Sequence, residues 1–156
     1  MVDVAARLAD LGLELPAVAA PAGDYLPAVR SGQLVFTAGQ LPFVDGALPA
    51  TGVVGEAAGQ VTPEAARDLA ARSALNALAA AVTVLGSLDE VVRVVKVTGF
   101  VASDPAFTGQ PGVINGASEL LGRVFGEAGR HARSAVGVAA LPLGSPVEVE
   151  LVLEVA

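Results

Sequence analysis

Apolar residues recur along this chain with two different periods, and the periods predict where helices and strands form. Spacings of three and four residues, which place side chains on one face of a helix, occur in three stretches. The first covers residues 2–11 and is expected to end before Gly12. The second covers residues 63–85 and begins after Thr62, a typical capping residue. The third is expected at residues 113–125.

Stretches rich in β-branched residues predict the strands, because such residues pack well on a pleated sheet. Ser31-Gly32 separates two of these stretches at turn length, which predicts a hairpin. Arg93 and Lys96 fall on opposite faces of an ideal strand, so the strand that contains them has either a bulge or a late start. The predicted strands are residues 28–30, 33–38, 89–102, 132–139 and 146–155.

The elements follow the order two strands, helix, strand, helix, two strands, and this order predicts an α/β (α+β) fold. A chain of 156 residues is of ordinary size for one domain. We therefore expect a single domain over residues 1–156, with residues 1–24 as an N-terminal extension. Residues 41–61, rich in Gly and Pro, are predicted to form a long surface loop. Helices that alternate with hairpins indicate a layer of helices on a sheet.

Composition argues against several classes of protein. Sixteen acidic and nine basic residues give a net charge of −7, which opposes binding to the phosphates of nucleic acids. The absence of cysteine removes disulfides, thiolate metal sites and thiol nucleophiles. The N-terminus lacks the pattern of a secretory signal, and apolar runs are too short for a membrane span. We expect a cytoplasmic protein with neither nucleic-acid nor membrane partners.

Arg133 is the best candidate for chemistry. Alternation along its strand places Arg133, Ala135 and Gly137 on one face, so the neighbours of the arginine are small and leave room beside it. A guanidinium presents a planar fork of donors that suits bidentate binding of a carboxylate. This pattern is typical of a pocket for a small anion.

The last strand carries a row of acidic residues. Glu148, Glu150 and Glu154 share one face, while the odd-numbered positions of the strand are apolar. The simplest interpretation is a solvated strand face, because rows of charged residues are usually exposed. In the same interpretation, Arg133 would serve only as the ion-pair partner of a glutamate.

Other familiar catalytic arrangements are poorly supported. His131 is the only histidine, and Ser134 is too near in sequence for the usual assembled triad. One histidine among scattered carboxylates gives no recognisable spacing of metal ligands, so we predict neither a metal nor a cofactor. The glycine-rich stretch at residues 109–112 lacks the context of a phosphate-binding loop and is expected to form a turn.

Several short motifs, taken in this order, resemble the reactive intermediate deaminase (Rid) family, also called the YjgF or L-PSP endoribonuclease-like family. The likeness covers roughly residues 22–156, and the N-terminal helix together with residues 109–117 resembles a longer subgroup. The motifs are Tyr25, Phe36-Thr37-Ala38-Gly39-Gln40, Val94-Val95-Lys96-Val97, Ala132-Arg133-Ser134-Ala135-Val136, Leu141-Pro142 and Val147-Glu148-Val149-Glu150.

The resemblance implies a chorismate-mutase-like fold, with two main helices packed on one face of a sheet and a short N-terminal helix besides. It also implies a homotrimer with pockets between subunits. Arg133 would bind the carboxylate of a substrate, and Glu148 would help to orient water. The implied pocket also contains Tyr25, Asn115, and the segment formed by Ala38 and Gly39.

Three positions depart from the family pattern, because Ala38, Ala135 and Gly137 stand where serine, cysteine and glutamate are common. The main hypothesis is hydrolysis of small 2-imino or 2-enamino acids to 2-oxo acids and ammonia. Loss of the serine hydroxyl favours an alternative, a trimer that binds or senses a small carboxylate metabolite without turnover. A third hypothesis, endoribonuclease or translation inhibitor, follows the family name and is opposed by the acidic charge.

Overall fold

The computed structural model of the chain describes residues 3–156, which form one mixed sheet with three helices. The sheet contains five strands in the spatial order β1-β2-β5-β3-β4. The α+β fold expected from the order of elements is confirmed. The strands are β1 (Ala28–Ser31), β2 (Leu34–Thr37), β3 (Val91–Ala102), β4 (Ala132–Val138) and β5 (Val147–Val155), and the helices are α1 (Val4–Asp10), α2 (Pro63–Leu85) and α3 (Gln110–Phe125).

The N-terminal helix α1 is capped by Asp3, whose side chain accepts a hydrogen bond from the backbone N–H of Ala6 at 2.9 Å. The predicted start of this helix at residue 2 lies outside the described residues. The backbone N–H of Val4 donates to Asp89 Oδ1 at 3.0 Å, just before β3 begins. The extension is therefore attached to the sheet domain at its first turn.

Helix α2 begins and ends where the sequence predicts. Thr62 Oγ1 accepts a hydrogen bond from the backbone N–H of Ala65, and Gly86 ends the helix with a φ of 79°. By length and composition α2 could cross a membrane, but 61% of its most apolar window is buried inside the protein. Its apolar character is that of a core helix.

Helix α3 begins at Gln110, three residues before the predicted start at residue 113. The turn predicted for residues 109–112 is wrong, because Gln110, Pro111 and Gly112 form the first turn of the helix. Proline suits this position, since the first helical N–H groups have no intrahelical acceptor. The difference matters because the carbonyl of Pro111 takes part in the site.

The β1–β2 hairpin is confirmed, although its turn is Gly32-Gln33, one residue later than predicted. Strand β3 starts at Val91, two residues later than predicted, and its pairing with β5 shifts register between Val91 and Arg93 and again before Lys96. Both alternatives for this strand, a late start and a bulge, are therefore realised.

The last two strands do not form the predicted hairpin. Strand β4 pairs only with β3, in parallel, at one edge of the sheet. Strand β5 lies between β2 and β3 and is antiparallel to both. A central position suits β5, because it satisfies the backbone hydrogen bonds at both edges of a strand whose odd-numbered side chains are buried.

The two faces of the sheet differ in what covers them. The odd-numbered residues of β5 and residues such as Val94, Val97 and Val101 of β3 are buried under α2 and α3, and we call this side the helix face. The opposite side, the open face, carries no helix in the described structure. It exposes apolar side chains that include Val29, Leu34, Phe36 and Val136.

Candidate functional site

Arg133 lies at the start of β4 on the helix face, opposite Val97 of β3. Its guanidinium donates three hydrogen bonds to α3. Nη1 donates to Asn115 Oδ1 at 2.8 Å and to Ser118 Oγ at 3.2 Å, and Nη2 donates to the carbonyl of Pro111 at 3.3 Å. The side chain is thus held between the edge strand and the first three turns of the helix.

The charge of Arg133 is not neutralised by a carboxylate within the part of the chain that the structure describes. The three ion pairs found there involve other residues, and the acceptors of Arg133 are an amide, a hydroxyl and a backbone carbonyl. Within the described residues, Arg133 is therefore not the ion-pair partner of a glutamate, and that interpretation is wrong there. A guanidinium has five N–H donors, so at least two remain for a ligand.

Ser118 and Pro111 were missed by reasoning from the sequence. Asn115 and Ser118 are three residues apart on α3, so both side chains lie on the face that meets Arg133. This spacing is a signal that was present in the sequence. The contribution of Pro111 was hidden because residues 109–112 were predicted to form a turn, whereas Pro111 lies in the first turn of α3, one turn before Asn115.

Glu148 lies on the open face, beside Phe100 of β3 and next to Gly39. A Cβ added at residue 39 would lie 2.5 Å from Glu148 Oε1 and 2.8 Å from Cδ, so the carboxylate occupies the space that a side chain there would take. Burial raises the pKa of Glu148 above its ordinary value of 4.5, and the negative charge of Glu150 raises this pKa further. The carboxyl is half-buried and holds its proton more tightly than a free glutamate does.

Arg133 and Glu148 do not meet within one chain. Arg133 points to the helix face and Glu148 to the open face, and β3 separates their strands. The row of β4 that is level with Glu148 contains Val136, so the two residues are also separated by about 10 Å along the strands and about 10 Å across them. We call their surroundings the arginine half-site and the glutamate half-site.

The comparison with known families settles which family the chain represents. The model of the YjgF/chorismate mutase-like endoribonuclease family matches residues 5–155. The chain belongs to this family. The expected fold is confirmed by this match and by the five-stranded sheet with its three helices.

Relatives of the chain share nearly its whole length. Protein TCP17 of Trypanosoma cruzi is 48% identical over 152 residues, which are 97% of this chain and 93% of that protein. Atu1372 of Agrobacterium tumefaciens, a protein of unknown function, is 42% identical with a TM-score of 0.88 over 98% of this chain and 92% of its own. TdcF of E. coli, solved with bound serine, is 28% identical with a TM-score of 0.57 over 90% of this chain and 94% of its own.

The remaining candidate pocket residues of this YjgF family member lie at the glutamate half-site end of the sheet. Ala38 follows β2, and its backbone N–H donates to the carbonyl of Pro27 at 2.8 Å. Tyr25 is two residues before Pro27 and is half exposed, and its hydroxyl accepts a hydrogen bond from the backbone N–H of Ala22. Gly39 and the adjacent Ala38 therefore lie near Glu148, Tyr25 lies on the segment that leads to Pro27, and Asn115 lies with Arg133.

The departures from the family pattern fall on both half-sites. Gly137 lies on the helix face, where a Cβ would be 2.7 Å from Gln110 Nε2. That amide donates to Ser103 Oγ and to the carbonyl of Phe107, so Gln110 fills the space over residue 137. Ala38 removes a hydroxyl near Glu148, and Ala135 lies beside Arg133 on the helix face.

His131 has no arrangement suited to a catalytic base or a metal ligand. Burial lowers the pKa of His131, and the positive charge of Arg133 lowers it as well, against a raising contribution from the carbonyl of Ala132. Among the residues that the structure describes, no three histidines, aspartates or glutamates cluster in the manner of a metal site.

Proposed function

We propose that this YjgF family protein hydrolyses small 2-imino or 2-enamino acids to 2-oxo acids and ammonia. One observation carries the proposal: the guanidinium of Arg133 is fixed by neutral acceptors and retains both its charge and free donors. A partly buried cation without a carboxylate partner attracts a small carboxylate and orients it through two parallel hydrogen bonds.

The reaction that suits this arrangement is addition of water to a C=N bond. Water attacks C2 of the imine, a C–O bond forms, and the π electrons of the C=N bond move to nitrogen, which takes a proton. The resulting carbinolamine expels ammonia as its hydroxyl loses a proton, which leaves the 2-oxo acid. A 2-enamino acid first takes a proton at C3 and becomes the imine.

Glu148 is the residue we assign to the water. A carboxylate that accepts a hydrogen bond from water raises the electron density on the water oxygen. A carboxyl group with a raised pKa can also return a proton to the departing nitrogen. General acid–base groups work best when their pKa lies near the working pH. Burial moves the pKa of Glu148 in that direction.

Because the two half-sites lie on opposite faces, we propose that Arg133 of one copy and Glu148 of another act on the same substrate in a homotrimer. The exposed apolar side chains of the open face support self-association. Val29, Phe36 and Val136 are 49%, 44% and 44% exposed, and such patches are usually covered in an assembly. Tyr25 would then belong to the subunit that contributes Glu148.

A second candidate function is binding of a small carboxylate metabolite without turnover. It is favoured by Ala38, which supplies no hydroxyl near Glu148, and by the arginine half-site, which is complete within one chain. The E. coli relative with bound serine is a precedent for an amino-acid ligand in this family. An RNA substrate is a weaker proposal, because a net charge of −7 repels a phosphate backbone.

The deciding experiment measures ammonia release from 2-iminopropanoate generated in situ, with wild type, Arg133→Ala and Glu148→Gln. Acceleration that is lost in both variants is the expected result. Saturable binding of pyruvate that depends on Arg133, without any acceleration of imine hydrolysis, would replace the enzyme with the binding protein. Arg30→Ala is the control, because Arg30 pairs with Glu90 and lies in β1, at the opposite edge of the sheet from β4.

A further inference from the structure

A cavity lies outside both half-sites, between the N-terminal extension and α2. Its volume is about 740 Å³, which is in the range of small-molecule sites. Residues 14–20 form one wall, and residues 43–46 with Arg72 and Asn76 of α2 form the other. We call it the extension groove.

Arg72 supplies a cation to the extension groove. The side chain is partly buried, and its Nε donates to the carbonyl of Phe43 at 2.9 Å. Arg72 takes part in none of the ion pairs found among the described residues. Its terminal N–H groups are therefore available to a carboxylate, in the geometry that guanidinium groups favour.

Asn76, one turn after Arg72, holds the wall of the groove in place. It is only 6% exposed, and its Nδ2 donates to the carbonyls of Leu41 and Phe43 at 2.9 and 3.1 Å. Arg72 and Asn76 thus fix the same loop before any ligand binds. Preorganised walls favour affinity, because binding then costs little conformational entropy.

The opposite wall is a segment outside the helices and strands, and its backbone groups are free. Among the described residues, no backbone hydrogen bond involves residues 14–21. Free N–H and C=O groups of this kind can pair with the amide groups of another peptide. This feature distinguishes a peptide from ligands that have no amide groups.

The charges and apolar side chains of the extension groove complete the chemistry of its ligand. The acidic residues Glu14 and Asp45 also line it, and they oppose a dianion such as phosphate but suit an ammonium. Leu15, Val18 and Phe43 provide apolar surface. One cation and two carboxylates beside apolar surface match a ligand with both charges and apolar side chains.

We propose that the extension groove binds a short zwitterionic peptide with apolar side chains, of about dipeptide size. Its terminal carboxylate contacts Arg72, its ammonium lies toward Asp45 and Glu14, and its amide pairs with the backbone of residues 14–20. This site does not depend on the function proposed for Arg133 and Glu148.

The test is calorimetric titration of the full chain with leucyl-leucine, its C-terminal amide and its N-acetyl derivative. We expect saturable binding of the free dipeptide to wild type. Both derivatives should bind wild type about 10- to 100-fold more weakly, and the free dipeptide should bind Arg72→Ala more weakly by a similar factor. Arg133→Ala and Arg67→Ala are expected to bind like wild type. Arg72→Ala also loses the hydrogen bond to the carbonyl of Phe43, so a second variant is needed that leaves this bond intact. Val18→Asp, on the opposite wall, should block binding of the dipeptide in this way.

Three results would overturn the proposal. The first is the absence of saturable binding by leucyl-leucine. The second is equal binding of the dipeptide and its amide, which would remove the role of the carboxylate. The third is binding that is lost in Arg133→Ala but kept in Arg72→Ala and Val18→Asp, which would assign the ligand to the arginine half-site.

Discussion

The carboxylate of Glu148 lies in the space left by the missing side chain of Gly39, with Oε1 2.5 Å from the position a Cβ would take. Gly39→Ala is predicted to displace the carboxylate while leaving the fold intact, because the atoms that must move are the end of a flexible side chain. If Glu148 orients water, imine hydrolysis should fall about 10- to 100-fold. Steady-state kinetics and thermal unfolding of the same preparation measure the two effects.

A double-mutant cycle separates this effect from general damage. In the Glu148→Gln background, Gly39→Ala should cause little further loss, because the group that it displaces has already been replaced. Equal losses in both backgrounds would show that residue 39 acts independently of Glu148.

Asn115→Asp is predicted to disable the arginine half-site without disturbing its shape. The substitution nearly preserves the volume of the side chain and places a carboxylate 2.8 Å from Nη1 of Arg133. The new ion pair neutralises the guanidinium, so KM should rise about tenfold or more while stability is kept. Ser118→Ala is the matched control, since it removes an uncharged acceptor and should change KM much less. An unchanged KM in Asn115→Asp would argue against Arg133 as the carboxylate site.

The two half-sites predict complementation between inactive variants. If each site takes Arg133 from one copy and Glu148 from the next, equal amounts of Arg133→Ala and Glu148→Gln, unfolded and refolded together, should restore about one site in four. Each variant refolded alone should stay inactive. Failure of the mixture to recover activity, with mixed trimers verified by native mass spectrometry, would contradict sites shared between copies.

The sequence predicted the parts of the fold that depend on neighbouring residues. Thr62 and Gly86 mark the ends of α2 through local hydrogen bonding and backbone geometry, so the helix could be placed without its partners. The position of β5 between β2 and β3 depends on pairing with residues more than forty positions away. No local pattern contains that information, and the tail was predicted as a hairpin instead.

The same distinction applies to the site. The small residues on the face of Arg133 were visible in the alternation of its strand, and they predicted an anion pocket. Alternation could not show that β4 and β5 present Arg133 and Glu148 to opposite sides, because the facing of each strand depends on its register against β3. The glutamate row was expected to be solvated, yet Glu148 is half-buried against Gly39 and Phe100.

The raised pKa of Glu148 predicts a pH-dependent change in stability. Because the folded chain holds this proton more tightly than the unfolded chain, ionisation of Glu148 reduces stability as pH rises through and above its ordinary pKa of 4.5. Glu148→Gln should therefore increase the free energy of unfolding near neutral pH and have little effect below about pH 4. Urea denaturation of wild type and Glu148→Gln, at about pH 7 and at about pH 4, measures the difference in the free energy of unfolding.

Glu150 supplies a control for this prediction, because its charge contributes to the raised pKa of Glu148. Carboxyl NMR titration should find the pKa of Glu148 above its ordinary value, and lower in Glu150→Gln than in wild type. A stabilising effect of Glu148→Gln that is as large at pH 4 as at pH 7 would have to arise from packing rather than from charge.

Two glycines of α3 predict opposite effects of the same substitution. Gly116 is buried against α2, where a Cβ would overlap the backbone carbonyl of Arg67, whereas a Cβ at Gly122 would meet no atom within 4 Å. Gly122→Ala should stabilise the chain by about 0.5–1 kcal/mol through helix propensity. Gly116→Ala gains the same propensity but forces the two helices apart, and should destabilise by roughly 1–3 kcal/mol. Urea unfolding of both variants measures these changes in the free energy of unfolding. Stabilisation by Gly116→Ala would mean that α2 and α3 do not approach so closely.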